Sequence, residues 1–490
     1  IKFLQENGVS IKLFELTTNE LKILPDDIPM FTISRTKSKG YYVVIDYKVP
    51  HMDNMEELLI PRKGLNDLKQ ELQEKIETKK KIEQELVTLS EAVHALKSLL
   101  SEYDAEIEFE NIYSGMSVDG SIAYLQGFIP VENTELIKSE SATNGWAIML
   151  KDPVEDDKVP TLVKNSKVVR MIEPVFNFLG TIPGYREKDI SLFFLIFLSL
   201  FTAMIIGDGG YGSIFFLVSI YAGIKIRKKT GTVPDAIKLF TLMGFLTVIW
   251  GAISGTWFGA ESIIELPFFK IFIIDSIASF SKTDTSQLIM HMCFMIGVVH
   301  LSIAHIWNFI AMLKKKPVIK AFAQPGWLAM IIGLYFLVLN LVLGADNFPL
   351  PDFALYLIFA GLGFVVVFSE QDGRFFKGLL RGISSLLTTF LDSISAFSDI
   401  ISYIRLFAVG LATVAVASSF NSMAAGMGSG VVGIIAAIFI LAIGHTLNIA
   451  MVALSVVVHG IRLNVLEFSG HLGMEWTGIN YNPFRNRKDI

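Results

Sequence analysis

From residue 190 onward the chain alternates long apolar stretches with short polar connections. Eight apolar segments centre on about 190–206, 211–224, 236–257, 287–313, 327–344, 353–368, 385–420 and 431–467, each near the ~20 residues a helix needs to cross a bilayer. The last two are too long to stand upright. A helix of ~35 residues rises ~50 Å against a hydrocarbon core of ~30 Å, so these two are expected to tilt steeply or kink. Ahead of the apolar region the pattern changes. Between Leu65 and Ile107 the apolar positions Ile82, Leu86, Leu89, Val93, Leu96, Leu100, Tyr103 and Ile107 alternate spacings of four and three, which is the heptad seam of a coiled coil and calls for a partner. Strand-like runs flank it at Tyr41–Ile45, Ile122–Ile129 and Ala147–Leu150.

The fold expected is an α/β head with one long coiled-coil helix over residues 1–185, then an eight-helix membrane domain over 186–490. A polar linker around Glu155-Asp156-Asp157-Lys158 leads from one to the other. The chain starts at Ile1 with no initiator Met, so the head is expected to be incomplete at its N-terminus. Composition agrees: 52% hydrophobic and 18% charged residues over 490 positions, with a mean hydropathy of +0.51, favour a membrane protein. A net charge of −5 gives no support to nucleic-acid binding. The one cysteine, Cys293, lies in an apolar run and excludes an intrachain disulfide.

Basic residues set the orientation. Lys225, Arg227, Lys228, Lys229 and Lys238 follow segment two; Lys314, Lys315, Lys316 and Lys320 follow four; Arg374, Lys377 and Arg381 follow six; Arg485, Arg487 and Lys488 end the chain. The opposite loops hold Lys270 and Lys282. By the positive-inside rule both termini and the head are cytoplasmic.

Candidate chemistry concentrates in the last two segments. Arg405 lies within Ile400-Ile401-Ser402-Tyr403-Ile404-Arg405-Leu406-Phe407-Ala408-Val409. A guanidinium keeps its proton in a protein, and a charge at that depth costs at least ~2.5–3.5 kcal/mol on insertion scales. Segment eight repeats the anomaly at Arg462. Two cations on adjacent spanning helices point to an ion path or a bound anionic group. Ser398, Ser402 and Arg405 share a stripe with Val409 and Ala412, where small side chains let a neighbour bring a carboxylate close. On segment eight Asn448, Ser455 and Arg462 recur every seven residues, with His445 and His459 nearby. Asp392 and Asp399 sit one heptad apart on a face turned away from Arg405, suiting a hydrated vestibule for cations, with local capping or pairing the plainer alternative; Ser395 is a further candidate to line an ion path. Segment eight offers Arg405 no facing acid except Glu467, nearer the cytoplasmic end, and an intramolecular salt bridge there is the structural alternative. His300 and His305, five residues apart, read as packing or hydrogen-bonding residues. Asp208, in Gly207-Asp208-Gly209-Gly210-Tyr211-Gly212, needs no more than a tight turn.

The sequence has no Gly-x-x-x-x-Gly-Lys-Ser/Thr loop, no His-Glu-x-x-His and no paired cysteines. An autonomous enzyme, a metal centre and a bound cofactor are therefore not expected.

Ser398-Asp399 with Ser402 to Ala412, ending at Asn421, resembles the signature helix of the membrane a subunit, also called subunit I, of V/A-type rotary ATPases. Gly444-His445, Asn448, Val458 to Leu463, Glu467-Phe468, Gly478 and Pro483-Phe484 are similar to that family's last helix and tail. Gly207 to Gly212, Gly255-Thr256-Trp257-Phe258-Gly259 and Pro160 to Asn165 resemble its motifs around segments one to three and its lead into the membrane. The resemblance covers residues 120–490, and the length resembles the prokaryotic form. It departs in two places: the family's further α/β lobe and first long antiparallel helix are not evident, and Val452 stands where some eukaryotic members carry a glutamate.

The resemblance implies a stator in a bacterial or archaeal plasma membrane, beside a rotating proteolipid c ring. It implies two offset ion half-channels, for protons or sodium ions, that reach the ring's carboxylates from opposite sides and are kept apart by Arg405, with Arg462 assisting electrostatically. The head would grip peripheral-stalk subunits of E/G type, with the central stalk and catalytic A/B subunits engaged indirectly. A competing reading is a secondary ion transporter with a coiled-coil regulatory head. It predicts repeat symmetry between membrane halves, and no motif in segments one to four pairs with those of seven and eight.

Overall fold

In the computed structural model the described residues are 11–17, 21, 30–36, 39–45, 57–58, 63–260, 263, 265–274, 283–428 and 430–484. Lys282, Arg485, Arg487 and Lys488 of the charge pattern lie outside them. Contacts divide the chain into two compact units, one of Ile1–Leu125 with Phe484–Ile490, the other of Gln126–Pro483.

The first unit opens with an antiparallel sheet of β1 (Ile11–Thr17), β2 (Met30–Arg35), β3 (Lys39–Ile45) and β4 (Glu57–Leu58), in the order β2-β3-β1-β4. Alternation places Phe14 and Leu16 of β1 with Tyr42 and Val44 of β3 on one buried face. Helix α1 (Leu65–Ser114) runs for 50 residues, and its seam residues Ile82, Leu86, Leu89, Val93, Leu96, Leu100, Tyr103 and Ile107 are exposed. A two-stranded hairpin follows, β5 (Ser117–Asp119) with β6 (Ile122–Tyr124). The expected strand at 122–129 therefore stops at Tyr124, and Ala147–Leu150 joins no strand. Six residues beyond Tyr124 lies Pro130, which has no N–H to give a ladder.

The second unit is helical. After α2 (Thr134–Asn144) and α3 (Glu173–Leu179) come α4 (Ser191–Ile206), α5 (Gly209–Thr230), α6 (Asp235–Ser254), α7 (Thr283–Leu313), α8 (Ala323–Leu343), α9 (Asp352–Phe368) and α10 (Phe375–Ser384). Segment seven is two helices, α11 (Leu386–Ser402) and α12 (Ile404–Ala425), and segment eight begins as α13 (Val431–Ser455). Among the described residues, six helices are long and apolar enough to cross a membrane, including Leu386–Ala425 and Val431–Leu472 taken as continuous spans. Ser191–Ile206 and Asp352–Phe368 are apolar but shorter.

Helix α4 is the buried centre. Phe197, Phe201, Met204 and Ile205 pack with Phe294 and Leu301 of α7, Ile400 and Tyr403 at the end of segment seven's first half, Leu406 and Leu463. A second cluster joins Phe194 and Leu198 to Leu239, Phe468 and Leu472. Gly207, at φ 66°, ends α4 with its Cα side against Gly410 of α12, where a side chain would be crowded. The two halves of segment seven and the end of segment eight are thus held on a common core.

Candidate functional site

Neither half of the site is built on regular helix. Segment seven breaks at Tyr403, between α11 and α12. Tyr403 is fully buried, and its hydroxyl hydrogen-bonds His300 Nδ1 at 2.9 Å. His300 is itself stacked between Phe197 and Phe468, at ring separations of 3.8 and 4.2 Å. Segment eight widens into π-helix at Val456–Gly460 and again at Leu463–Phe468, on either side of Arg462. π turns inside α-helices occur frequently at functional sites, because the extra residue re-aims side chains.

The break supplies the acceptor that orients Arg405. Its Nε donates to the Ser402 carbonyl at 2.9 Å and its Nη2 to Glu467 Oε1 at 2.9 Å. Arg462 Nε lies 3.6 Å from the same oxygen. In an α-helix residues five apart face different ways, but a π turn brings them nearly into line, and so Arg462 and Glu467 meet. Ser402 Oγ is 3.2 Å from Glu467 Oε1 and 2.7 Å from the Asp399 carbonyl. The Glu467 side chain is 3% exposed, that of Arg405 22% and that of Arg462 53%. One nearly buried carboxylate oxygen is thus shared by two cations and offsets one of their two charges. Glu467 Oε2 is buried with no hydrogen-bond partner among the described residues. The intramolecular partner for Arg405, the structural alternative in the sequence, is realised here through Glu467.

Asp399 does not turn to Arg405. Its Oδ2 lies 3.1 Å from His471 Nε2, and His471 Nδ1 lies 2.9 Å from His305 Nε2. Asp392, Ser395 and Ser398 are exposed on α11, where Ser395 Oγ donates to the Leu391 carbonyl at 3.3 Å.

His445 and Asn448 belong to a separate network. Tyr211 Oη bonds His445 Nδ1 at 2.7 Å and accepts from Asn448 Nδ2 at 3.0 Å. Asn448 Nδ2 also reaches the Thr413 carbonyl at 2.9 Å, and His445 Nε2 lies 3.2 Å from Asn421 Oδ1. Beneath Tyr211 the fully buried Asp208 accepts from the backbone N–H groups of Gly210, Tyr211, Phe258 and Gly259 at 2.7, 3.2, 2.9 and 3.0 Å. Asp208 therefore does more than make a turn: it caps α5 and clamps the 255–259 loop to it. Ser455 ends α13, and His459 sits in the first π stretch with Nδ1 buried and unpartnered among the described residues.

Of the residues singled out from sequence, Ser402, Arg405, Arg462 and Glu467 come together, Asp399 joins an adjacent histidine pair, and His445 with Asn448 stands apart. Sequence reasoning missed His471, Gln324 and the partnership of His305. The one signal that could have found His471 is its spacing, four residues and about one helical turn beyond Glu467.

Comparison with known proteins gives a consistent result. No protein-family model matches the chain. V-type ATP synthase subunit I of Borreliella burgdorferi is 38% identical over 497 residues, covering 99% of this chain and 80% of that protein. V-type ATP synthase subunit I 1 of Treponema pallidum is 32% identical over 505 residues, with the same coverage of 99% and 80%. A-type ATP synthase subunit I of Methanocaldococcus jannaschii is 27% identical over 464 residues, covering 88% and 64%. The chain is a multi-pass membrane protein and belongs to the family of subunit I of V-type and A-type ATP synthases.

Proposed function

We propose that the chain is the stator of a rotary ATPase, with Arg405 as the fixed charge past which the carboxylates of a proteolipid c ring rotate. The observation that carries this reading is the mounting of Arg405: a helix break gives it the Ser402 carbonyl, and Glu467 takes one Nη. A guanidinium held at both Nε and Nη2 is pre-oriented yet keeps further N–H donors for a second carboxylate. A ring carboxylate drawn opposite it is favoured in its ionised form and releases its bound ion. Arg405 cannot itself pass a proton on, so it also separates two half-channels.

Asp392, Ser395, Ser398, Asp399, Ser402 and Glu467 belong on this reading to one half-channel, and His445, Asn448, Ser455 and His459 to the other. Both ring nitrogens of His445 are taken up by neighbours, which suits it to shaping a wall, whereas Asn448 bonds through Nδ2 and keeps a buried Oδ1 without a partner among the described residues. Eight spans are counted with the two shorter apolar helices included. Residues 1–185 form a cytoplasmic head whose long helix pairs in a coiled coil and holds E/G-type peripheral-stalk subunits, and both termini are cytoplasmic. ATP hydrolysis resides on the A/B subunits of the same complex.

The test is Arg405→Ala in the intact complex, reconstituted into proteoliposomes. Assembly is expected to persist while ATP-driven ion transport is lost. Near-normal transport by assembled Arg405→Ala complexes would overturn the assignment.

A further inference from the structure

Asp399, His471, His305 and Gln324 form a single hydrogen-bonded file drawn from four separate elements. Asp399 Oδ2 meets His471 Nε2 at 3.1 Å, His471 Nδ1 meets His305 Nε2 at 2.9 Å, and His305 Nδ1 meets Gln324 Oε1 at 2.8 Å. Asn308 Nδ2 donates to the His471 carbonyl at 2.8 Å, fixing the turn that carries the ring, and Lys188 Nζ donates to Asn308 Oδ1. The Trp327 ring stacks on His305 at 6.1 Å. The His305 and His471 side chains are largely buried, and Asp399 is the opening, with its side chain 32% exposed.

Counting donors fixes the proton inventory of the file. With Gln324 Oε1 as acceptor, His305 carries its proton on Nδ1 and accepts on Nε2, so His471 donates from Nδ1. The contact between His471 Nε2 and Asp399 then requires one further proton, held on the nitrogen or on the carboxylate oxygen. Turning the Gln324 amide over reverses every bond: Nε2 of Gln324 donates to His305, His305 Nε2–H to His471, and His471 Nε2–H to an ionised Asp399. That state holds one proton fewer and leaves no bond unmade. In the first arrangement Gln324 Nε2 has Met312 Sδ at 3.7 Å, a weak acceptor that opposes the turn little.

We propose that this file is a proton-exchange site, in which Asp399 and His471 hold one transferable proton and His305 and Gln324 position it, and that the ion carried is the proton. The proposal rests on the stator reading above and names its ion. In loading, a proton from water or a ring carboxyl at the Asp399 opening adds to the ionised Asp399 carboxylate, while the His471, His305 and Gln324 bonds stay as they are. In unloading, the proton leaves from the same Asp399 carboxyl group. The donor loses one proton, the file gains one, and no other group is consumed. A sodium ion prefers a shell of oxygen ligands, whereas the file offers imidazole nitrogens already bonded to one another and the edge of one carboxylate. The titratable and charged groups around His471 are Asp399, His305 and His300, with Glu467 one turn back and Lys188 behind Asn308. Lys188, outside the spans, is lowered to about 8 by burial and then by Lys315.

The test uses the reconstituted complex with His305→Gln, His471→Gln and His471→Gly, each checked for assembly. Gln keeps a hydrogen-bonding side chain but cannot take up a proton. ATP-driven proton uptake is expected to fall on the order of 100-fold in His471→Gln, as when a general acid–base group is removed. Added imidazole should restore uptake in His471→Gly, a response that a merely structural histidine would not give. Wild-type proton uptake in sodium-free buffer, with no uncoupler-insensitive 22Na⁺ accumulation, is the readout that needs no variant. Wild-type-like proton uptake in the assembled His471 variants, or 22Na⁺ accumulation by the wild type, overturns the proposal. If Arg405→Ala still blocks transport in either of those cases, the stator reading stands and only the proton site has failed.

Discussion

Arg405 and Arg462 share one carboxylate oxygen but not one environment. The Arg405 side chain is 22% exposed and bonded at two nitrogens, while Arg462 is 53% exposed and 3.6 Å from Glu467 Oε1. Desolvation makes a fixed charge act more strongly on a partner, so Arg405 would have the greater leverage on a carboxylate brought opposite it, as the proposed stator role requires. Arg462→Ala is therefore expected to lower ion transport less than Arg405→Ala, and Arg462→Lys to keep a measurable rate. Arg405→Lys should largely fail, because an ammonium lacks the planar fork that reaches Ser402 and Glu467 together. Transport by equally assembled complexes at a fixed membrane potential compares them; a more sensitive Arg462 would move the primary charge to segment eight. Glu467→Ala removes the common counter-ion and leaves two cations facing each other. The arginines left behind are 22% and 53% exposed, so water takes up part of the loss; at about 1.5–3 kcal/mol for a hydrogen bond to a charged group, the midpoint of thermal unfolding of the purified complex should fall measurably. An unchanged midpoint would mean the carboxylate does not balance the arginines.

At the scale of elements, existence was legible in the sequence and irregularity was not. Apolar length placed the spans, and the excess length of segments seven and eight foretold a departure from straight helix. Its form was hidden: Tyr403 is neither Pro nor Gly, and the two π stretches contain no residue whose type demands them. Because those stretches shift the helical register, the seven-residue stripe of Asn448, Ser455 and Arg462 does not persist as one face, and Glu467 comes to Arg405. Sequence alone gives Asp208 no more than a turn, because two of its partners lie 50 and 51 positions away, at Phe258 and Gly259. Asp208→Ala would leave four N–H groups without this acceptor, two buried and two part-buried, the buried ones costing ~1–3 kcal/mol each. The expected outcome is loss of the folded subunit from the membrane, measured as its yield in the purified complex. Normal yield with an unchanged unfolding midpoint would show that the clamp between α5 and the 255–259 loop contributes little.

At the scale of the molecule, the sequence separated a polar, heptad-patterned region from an apolar one by periodicity alone, since 3.5-residue and span-length patterns call for different surroundings. It could not reveal the histidine file, which depends on tertiary contacts between residues up to 166 positions apart. The long helix shows what periodicity does establish. Leu86, Leu89 and Val93 are 60%, 63% and 46% exposed along α1, and an apolar seam of that length left to water favours association with another helix. Burying one such side chain contributes about 1.5–3 kcal/mol, so replacing two by charge removes enough to weaken a coiled-coil contact by orders of magnitude. Leu86→Glu with Leu89→Lys is expected to reduce retention of peripheral-stalk subunits in a pull-down while leaving the Arg405 site intact. The control is passive proton leak through membranes holding the complex without its catalytic subunits, which the head substitutions should leave at the wild-type level. Full retention of the stalk subunits by the double variant would show that they dock elsewhere on the head and that the seam has another partner.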